Sequence, residues 1–399
     1  MSLDIFKEKG TPLEKQLFTW RELVQTPTSK LDDDAFTRVR IILMNGIEAN
    51  ALRTMHAMAR MMNGDVRLPL ARVRRVEQHQ QTMVNWLLPP DLSPLETTIG
   101  FEQVAIEVTA SVAQHEPDEY LAQVYRFGLL EDFDHLYRFS ALMDRVMGAD
   151  ANTIVQNYSD IMPGRPTEVE HRAPEDDLRE HYDCTKADPL TKIHAVTITA
   201  GENQTHDYYM TIGPMFADPI ARQLYAEIAS IEEQHVTQYE SLMDPSETPL
   251  EKWLLHEATE VYNYYSCATY ETNPRVKQIW ERFVDYELGH LHMVMELFKK
   301  MENRDPAEVL PQTLPELIDY QSHRQFVRET LNNEVDLRAA GTRFINVEDE
   351  PEQAPASIAY REQMNSEGSP SEIVAAGYVW MPGTELVESK TVFAKGAGA

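Results

Sequence analysis

The sequence contains few cysteines and few basic residues. Cys184 and Cys267 are its two cysteines, too few for a disulfide framework and unsuited by number to a thiolate metal site. Lys and Arg together number 36 against 65 Asp and Glu, and no basic stripe is visible. The net charge of -29 therefore argues against nucleic acid or an anionic membrane surface as a partner.

Long apolar runs and strand-like patterns are also lacking. The longest apolar stretches, such as residues 41–44, are far shorter than a membrane span. The N-terminus MSLDIFKEKG carries charges where a signal peptide needs an apolar run. No run of alternating β-branched residues is long enough for a substantial sheet. We therefore expect a soluble all-α protein of a reducing cytoplasm, without a membrane partner.

The chain does contain an internal duplication. Residues 46–148 align without a gap with residues 201–303, at a shift of 155 positions. About 19 of about 103 positions are identical, about three times the number that composition alone would give. The matches include Pro94-Leu95-Glu96 with Pro249-Leu250-Glu251, and His135-Leu136 with His290-Leu291. The chain therefore holds two copies of one structural unit.

Each copy is predicted to form four helices, because apolar residues recur every three or four positions and the breaks carry Pro or Gly. The predicted helices are 33–62, 70–88, 95–115 and 118–147 in the first copy, and 188–212, 217–242, 249–272 and 275–302 in the second. The predicted domains are an N-terminal arm (1–32), a first bundle (33–148), a Pro-rich and charged linker (149–187), a second bundle (188–303) and a C-terminal region (304–399). That last region is expected to hold a helix from Leu314 to Ala339 and an extended acidic tail.

Acidic residues and histidines recur on the helices of the second copy. The first helix carries Glu202, the second Glu232 and His235, the third Glu257 and Glu260, and the fourth Glu287 and His290. Acidic ligands on two helices and a Glu-x-x-His pair on each of the other two form the di-metal carboxylate arrangement of four-helix bundles. Glu and His without Cys suit iron or manganese. A single Glu commonly lies on a solvated helix face, but the set of seven predicts one dinuclear metal site.

Residues 190–303 resemble a rubrerythrin-type diiron domain of the ferritin-like superfamily. The resemblance is carried by the seven residues above, and the doubled Glu of the third helix is its more specific mark. It implies two tandem ferritin-like four-helix bundles, with two iron ions bound by the seven residues, or alternatively manganese or a mixed Fe/Mn pair. The implied activity is the reduction of hydrogen peroxide or dioxygen. No Cys-rich rubredoxin module follows, so the electron donor is expected to be a separate protein, and a homodimer is one option for the assembly.

Glu260 and Tyr264 are the predicted catalytic residues. Tyr264 lies one turn from Glu260, and a tyrosine near a diiron centre can carry a radical. The alternative is that Tyr264 and its neighbours Tyr262 and Tyr265 are core residues that donate hydrogen bonds beside the metal.

The first copy keeps only part of the ligand set. At the shift of 155, Glu77, Gln80, Glu102, Ala105, Asp132 and His135 align with Glu232, His235, Glu257, Glu260, Glu287 and His290. Gln80 and Ala105 thus replace an imidazole and a carboxylate, which weakens a site. We expect a structural half that lost its metal. The alternative is that Glu48, Glu77, Glu102, Asp132 and His135 together hold one ion.

One connection departs from the ferritin-like pattern, and several functions fit the same residues. The connection over residues 244–249 would have to run nearly extended, at about 3.4 Å per residue, to return along the bundle as a ferritin-like crossover does. The residues also fit a diiron oxygenase or oxidase with an organic substrate, a manganese catalase-like dismutase, or a protein that stores or binds iron.

Overall fold

The computed structural model describes residues 3–31, 34–62 and 64–378. These residues are mostly helical and their only sheet has two strands, so the all-α prediction is confirmed for them. The helices are α1 (Trp20–Leu23), α2 (Ala35–Met61), α3 (Gly64–Asn85), α4 (Pro94–His115), α5 (Glu119–Met147), α6 (Asn152–Val155), α7 (Pro189–Ile212), α8 (Pro219–Glu240), α9 (Pro249–Tyr270), α10 (Pro274–Glu302), α11 (Arg324–Glu334), α12 (Glu350–Gln353), α13 (Pro355–Met364) and α14 (Pro370–Ala375). The strands β1 (Leu337–Ala340) and β2 (Arg343–Asn346) pair antiparallel. None of the helices in these ranges has the length and apolar character of a bilayer-spanning segment.

The long helices lie where the duplication predicts them. Ser93 and Thr248 occupy equivalent positions of the two copies, and each forms a capping box with the Glu three residues later. These caps start α4 and α9 at the same point of each copy. The exception is α3, which begins at Gly64 instead of residue 70. Pro69 lies inside α3, so a residue type that commonly marks a helix boundary does not mark one here.

Each copy folds as two helical hairpins. Each hairpin of one copy packs with a hairpin of the other copy. The hairpins are α2–α3, α4–α5, α7–α8 and α9–α10, and across the copies α2 packs on α9 and α4 packs on α7. Equivalent glutamates that follow α9 and α4 join these pairs. Glu271 accepts a hydrogen bond from Thr37 Oγ1 at 2.7 Å and pairs with Arg40 Nη1 at 3.3 Å, both on α2. Glu116 Oε2 lies 2.8 Å from His194 Nδ1 on α7.

The lengths of the connections exclude a ferritin-like crossover within one copy. Residues 86–93 join α3 to α4 and residues 241–248 join α8 to α9, and both connections contain turns. Even fully extended, eight residues span at most about 29 Å, whereas a helix of 22 residues is about 33 Å long. Such a connection cannot return along a bundle as the predicted crossover would. The third helix of each copy therefore starts beside the end of the second. The hairpin that follows packs with the other copy through contacts such as those of Glu271 with α2 and Glu116 with α7.

The region after residue 303 differs from the prediction. The helix expected from Leu314 to Ala339 is limited to α11, and β1 follows it. The preceding backbone is irregular because α9 satisfies its polar groups. Tyr262 Oη donates to the Glu316 carbonyl oxygen at 2.7 Å, and Ser266 Oγ donates to that of Ile318. The predicted extended tail is wrong for the described part, which contains α12, α13 and α14. Residues 379–399 of the predicted tail lie outside the described residues.

The linker between the copies packs into the helical core. The Arg172 backbone N–H donates to Gln234 Oε1 at 2.9 Å, and Gln234 Nε2 donates to the Glu170 carbonyl oxygen at 3.0 Å. The side chains of Glu170 and Arg172 are buried. The linker thereby brings two charged groups against α5 and α8, next to the polar residues described below.

Candidate metal centres

Twelve buried acidic and histidine side chains form two clusters within the described ranges. Cluster A lies among α2, α3, α9 and α10, and cluster B among α4, α5, α7 and α8. Cluster A consists of Glu48, Glu77, Glu257, Glu260, Glu287 and His290, and cluster B of Glu102, Asp132, His135, Glu202, Glu232 and His235. Each cluster thus takes one hairpin from each copy.

The seven residues predicted to form one site lie in two. Glu202, Glu232 and His235 belong to cluster B, whereas Glu257, Glu260, Glu287 and His290 belong to cluster A. The partial ligand set of the first copy is not a separate site either. Its Glu48 and Glu77 complete cluster A, and its Glu102, Asp132 and His135 complete cluster B. The prediction of one shared site assumed that the four helices of one copy pack together, whereas α2 packs on α9 and α4 packs on α7 across the copies. That these residues bind metal stays a prediction.

Cluster B has one carboxylate from each of α4 and α7, and an acid-x-x-His pair from each of α5 and α8. His235 Nδ1 lies 3.2 Å from Asp132 Oδ1, 3.2 Å from Glu232 Oε2 and 3.8 Å from Glu202 Oε2. His135 Nδ1 lies 3.1 Å from Glu232 Oε1. Glu232 therefore spans the two imidazoles, whose ring centroids are 5.9 Å apart. This placement would let Glu232 help to hold a cation beside either imidazole.

Both imidazoles of cluster B meet a carboxylate on their outer side. His235 Nε2 lies 2.7 Å from Glu131 Oε2, and His135 Nε2 lies 3.0 Å from Glu170 Oε2. When Nε2–H donates outward, the lone pair of Nδ1 faces the cluster, which is how outer carboxylates orient metal-binding histidines. Burial would raise the pKa of Glu131, but Arg172 and His235 outweigh burial and lower it. Burial raises the pKa of Glu170 to about 7, although His135 opposes this.

Cluster A has a single imidazole among its five carboxylates. His290 Nδ1 lies 3.0 Å from Glu287 Oε2, 3.8 Å from Glu257 Oε2 and 4.0 Å from Glu77 Oε1. Burial opposes protonation of His290, but Glu287 and Glu257 outweigh it and raise the pKa of the imidazole. Ligand atoms of these four residues lie within 4.8 Å of one another, close enough to share one ion.

Gln80 occupies the place of the second imidazole in cluster A. Its Nε2 donates to Glu48 Oε1 at 3.2 Å and to Glu287 Oε1. Glu260 adds a carboxylate to which cluster B has no equivalent, and neither of its oxygens has a hydrogen-bond partner. Burial, together with Glu287 and the other carboxylates of the cluster, raises the pKa of Glu260 well above its usual range. Cluster A is therefore richer in carboxylates and poorer in imidazole than cluster B.

The N-terminal arm orients His290. Gln16 Nε2 donates to the carbonyl oxygens of Thr11 at 2.8 Å and Tyr286 at 2.9 Å, so its Oε1 is an acceptor. His290 Nε2 lies 2.7 Å from that Oε1 and must donate to it. The arm approaches this closely because residue 289 is glycine, and a methyl group there would collide with the Thr11 carbonyl oxygen. When His290 is neutral, the lone pair of its Nδ1 therefore faces the carboxylates.

Many cluster oxygens are buried without any hydrogen-bond partner. They are Glu48 Oε2, both oxygens of Glu77, Glu102 Oε2, both oxygens of Asp132, Glu202 Oε2, Glu257 Oε2 and both oxygens of Glu260. An unpaired buried carboxylate is costly, and burial accordingly raises the pKa of Glu102, Glu202 and Glu257, the last to about 8. Cations bound between these oxygens and the Nδ1 atoms would compensate the negative charge of the oxygens and accept the lone pairs of the Nδ1 atoms.

A buried tyrosine donates to one carboxylate of each cluster. Tyr264, predicted as catalytic, donates from Oη to Glu48 Oε1 in cluster A. Tyr209, which the sequence interpretation missed, donates to Glu102 Oε1 in cluster B. Tyr262 points elsewhere, to the backbone that follows α10. The geometry of Tyr264 is that of a hydrogen-bond donor beside the cluster, and its catalytic role stays a prediction.

The residues that orient the imidazoles were also missed. Gln16 and Glu170 lie in the arm and the linker, outside the helices in which ligand spacing is informative. Glu131 directly precedes Asp132, and these adjacent acidic residues are the sequence feature that could have indicated an outer carboxylate.

No protein-family model matches this chain, and no curated protein or solved structure is significantly similar to it.

Proposed function

We propose that the protein is a dinuclear-metal oxidoreductase that reduces hydrogen peroxide or dioxygen, with iron as its metal. The helices around clusters A and B would form two interleaved four-helix bundles of the ferritin-like kind. One observation carries the proposal: His135, His235 and His290 each turn Nδ1 toward buried carboxylates while Nε2 meets an acceptor outside the cluster. Three imidazoles arranged alike beside unpaired oxygens are typical of metal ligands.

The donor set of cluster B fits a pair of divalent cations. Its four carboxylates, when ionised, balance the charge of two such ions, and its two imidazoles can remain neutral. Oxygen and nitrogen ligands without sulfur favour iron or manganese. Cluster A has one carboxylate more and one imidazole less, so it favours a pair of higher total charge, such as one divalent and one trivalent ion.

In the reaction, one hydrogen peroxide would take up two electrons and two protons, its O–O bond would break, and two water molecules would leave. Bound iron would supply the two electrons and polarise the O–O bond. Electrons to restore the reduced state would come from a separate donor protein, as the resemblance to rubrerythrin-type domains implies.

The chain's own residues would compensate charge, exclude water and hold protons. Glu232, between His135 and His235, is placed to compensate the charge of both ions. Burial excludes bulk water, which strengthens the electrostatic interactions inside the site. Tyr209 Oη holds a proton at Glu102 Oε1, the position from which that proton could be given up as negative charge develops.

Metal analysis followed by a single-turnover reaction tests the proposal. We expect about four iron ions per chain, two in each cluster. After anaerobic reduction, mixing with peroxide or with dioxygen should oxidise the iron within one turnover, and peroxide should consume two electrons per molecule. A metal-loaded protein that reacts with neither oxidant would contradict the activity. Many more ions per chain would favour storage, and dioxygen release from peroxide without a reductant would favour dismutation.

Replacing Glu131 by glutamine is expected to weaken metal binding in cluster B by about 10- to 100-fold. The amide oxygen could still accept from His235 Nε2, but the negative charge that increases the basicity of the imidazole would be lost. Competition titration with a chelator of known affinity measures the change. Cluster A in the same chain is the control, because a general loss of stability would weaken both clusters, whereas the loss of an orienting contact would weaken cluster B alone.

A further inference from the structure

Solvent reaches the two clusters unequally. Eleven of the twelve cluster residues have a solvent exposure of 0%, whereas Glu202 of cluster B is 2% exposed. Glu202 Oε2 also lacks a hydrogen-bond partner. Oε2 is itself buried and lies 3.8 Å from His235 Nδ1, so Glu202 connects the interior of cluster B with the one edge of the two clusters that solvent reaches.

A cavity lies at this edge of cluster B. It is lined by residues of α2, α4 and α7, namely Leu43, Val104, Ala105, Val108, Thr109, Thr197, Ile198, Gly201, Glu202 and Thr205. Its volume is about 10 Å³, which is about the room that one water-sized molecule needs. Most of the wall is apolar, and Glu202 is the cluster residue that lines it. The larger cavity of about 310 Å³ between α2 and α7 is lined by no residue of either cluster.

The duplication explains why cluster A has no matching opening at this position. Ala105 aligns with Glu260, so the space that is open beside Glu202 is filled by a carboxylate in the other cluster. Gly201 aligns with Gly46. A methyl group added at Gly201 would meet nothing within 4 Å, whereas one added at Gly46 would collide with Gln204. The position of Ala105 is therefore open beside cluster B, whereas the aligned position beside cluster A holds the Glu260 carboxylate.

We propose that this cavity is the binding and access site for a small neutral oxidant with an O–O bond, and that cluster B is therefore where the oxidant reacts. This inference rests on the proposed function and adds the location and the size limit of its substrate. Ala105 and Gly201 would keep the entrance open, because both residues are small and both line the cavity. The cavity has room for little more than one water-sized molecule, so it favours a small oxidant over an organic substrate.

Filling the cavity tests the proposal. Ala105→Leu places a larger apolar side chain in it without changing a cluster residue. The ferrous protein is mixed in a stopped-flow instrument with nitric oxide, a neutral diatomic probe of ferrous iron, and separately with peroxide and with dioxygen. We expect Ala105→Leu to slow the fast phase of nitric oxide binding and of oxidation at least tenfold while the iron content stays the same. Ala105→Ser, which leaves the cavity open, is the matched control and should keep the wild-type rates.

A second variant controls for destabilisation by overpacking at residue 105 on α4. Gly201→Leu places a larger side chain at the rim of the cavity on α7, where an added Cβ meets open space. Wild-type rates in both Leu variants, with full iron content, would overturn the access site and leave the proposed function standing. If the wild-type protein binds iron and nitric oxide but reduces neither oxidant, the proposed function fails, and the nitric oxide rates of the variants still decide whether the cavity is the route of access.

Discussion

Replacing His235 by alanine is expected to remove about half of the bound metal and to leave the other half in place. His235 Nδ1 faces cluster B, and no residue of cluster B belongs to cluster A. His290→Ala should do the converse, because His290 is the single imidazole of cluster A. The double variant should lose nearly all metal. The metal-to-protein ratio of each purified variant, measured by plasma mass spectrometry, tests this, together with the oxidation rate of the reduced form.

The control for these variants is His206→Ala. His206 lies on α7 beside Asp207, at 3.4 Å, with its side chain 26% exposed, and it belongs to neither cluster. It should keep the full metal content. A complete loss of metal in each single variant would favour one shared site over two separate ones. Full metal in the double variant would contradict metal binding by the clusters altogether.

Removing the metal is expected to lower the melting temperature at pH 8 by about 10 °C or more. A ligand present at a thousand times its dissociation constant stabilises the folded state by about 4 kcal/mol. In a chain of this size each kcal/mol shifts the melting temperature by about 1 °C, so several bound ions together give a shift of about 10 °C or more. Without metal, the unpaired carboxylates of both clusters face one another inside the core. Differential scanning calorimetry of the metal-free and the reloaded protein measures the difference.

The stability of the metal-free protein should fall as the pH rises, whereas its metal affinity should increase. Burial raises the pKa of Glu257 from 4.5 to about 8, and it raises those of Glu202 and Glu260 in the same direction. Between about pH 5 and pH 8 the native state therefore binds more protons than the unfolded chain, and its free energy of unfolding falls as the pH rises. Metal binding requires deprotonated ligands, so metal affinity rises over the same range.

Glu260→Gln separates these two effects. The amide removes a buried carboxylate, so the metal-free variant should melt at a higher temperature at pH 8 than the metal-free wild type. The same change should reduce the gain in melting temperature on adding metal, because a ligand of cluster A is lost. A metal-free wild type whose stability rises from pH 5 to pH 8 would show that the buried carboxylates are compensated in some other way.

The accuracy of the sequence interpretation depends on how local each signal is. The Pro-Leu-Glu segments that start α4 and α9 carry their capping boxes within three residues, so the helix starts were predictable. The pairs Glu232-x-x-His235 and Glu287-x-x-His290 identified ligand-like side chains because both members lie on one face of one helix. Gln16 and Glu170, by contrast, reach their imidazoles from the arm and the linker, and no spacing within a helix reveals such contacts.

The amino-acid sequence by itself determined the two copies, their four helices each and the residue types that the helices turn inward, because periodicity and capping act over a few residues. The tertiary structure alone decided which helices meet. Connections of eight residues are too short to return along a bundle, and contacts between helices of different copies, α2 with α9 and α4 with α7, determine the packing. One expected set of ligands thereby became two clusters of different charge, one of them with a small opening beside Glu202.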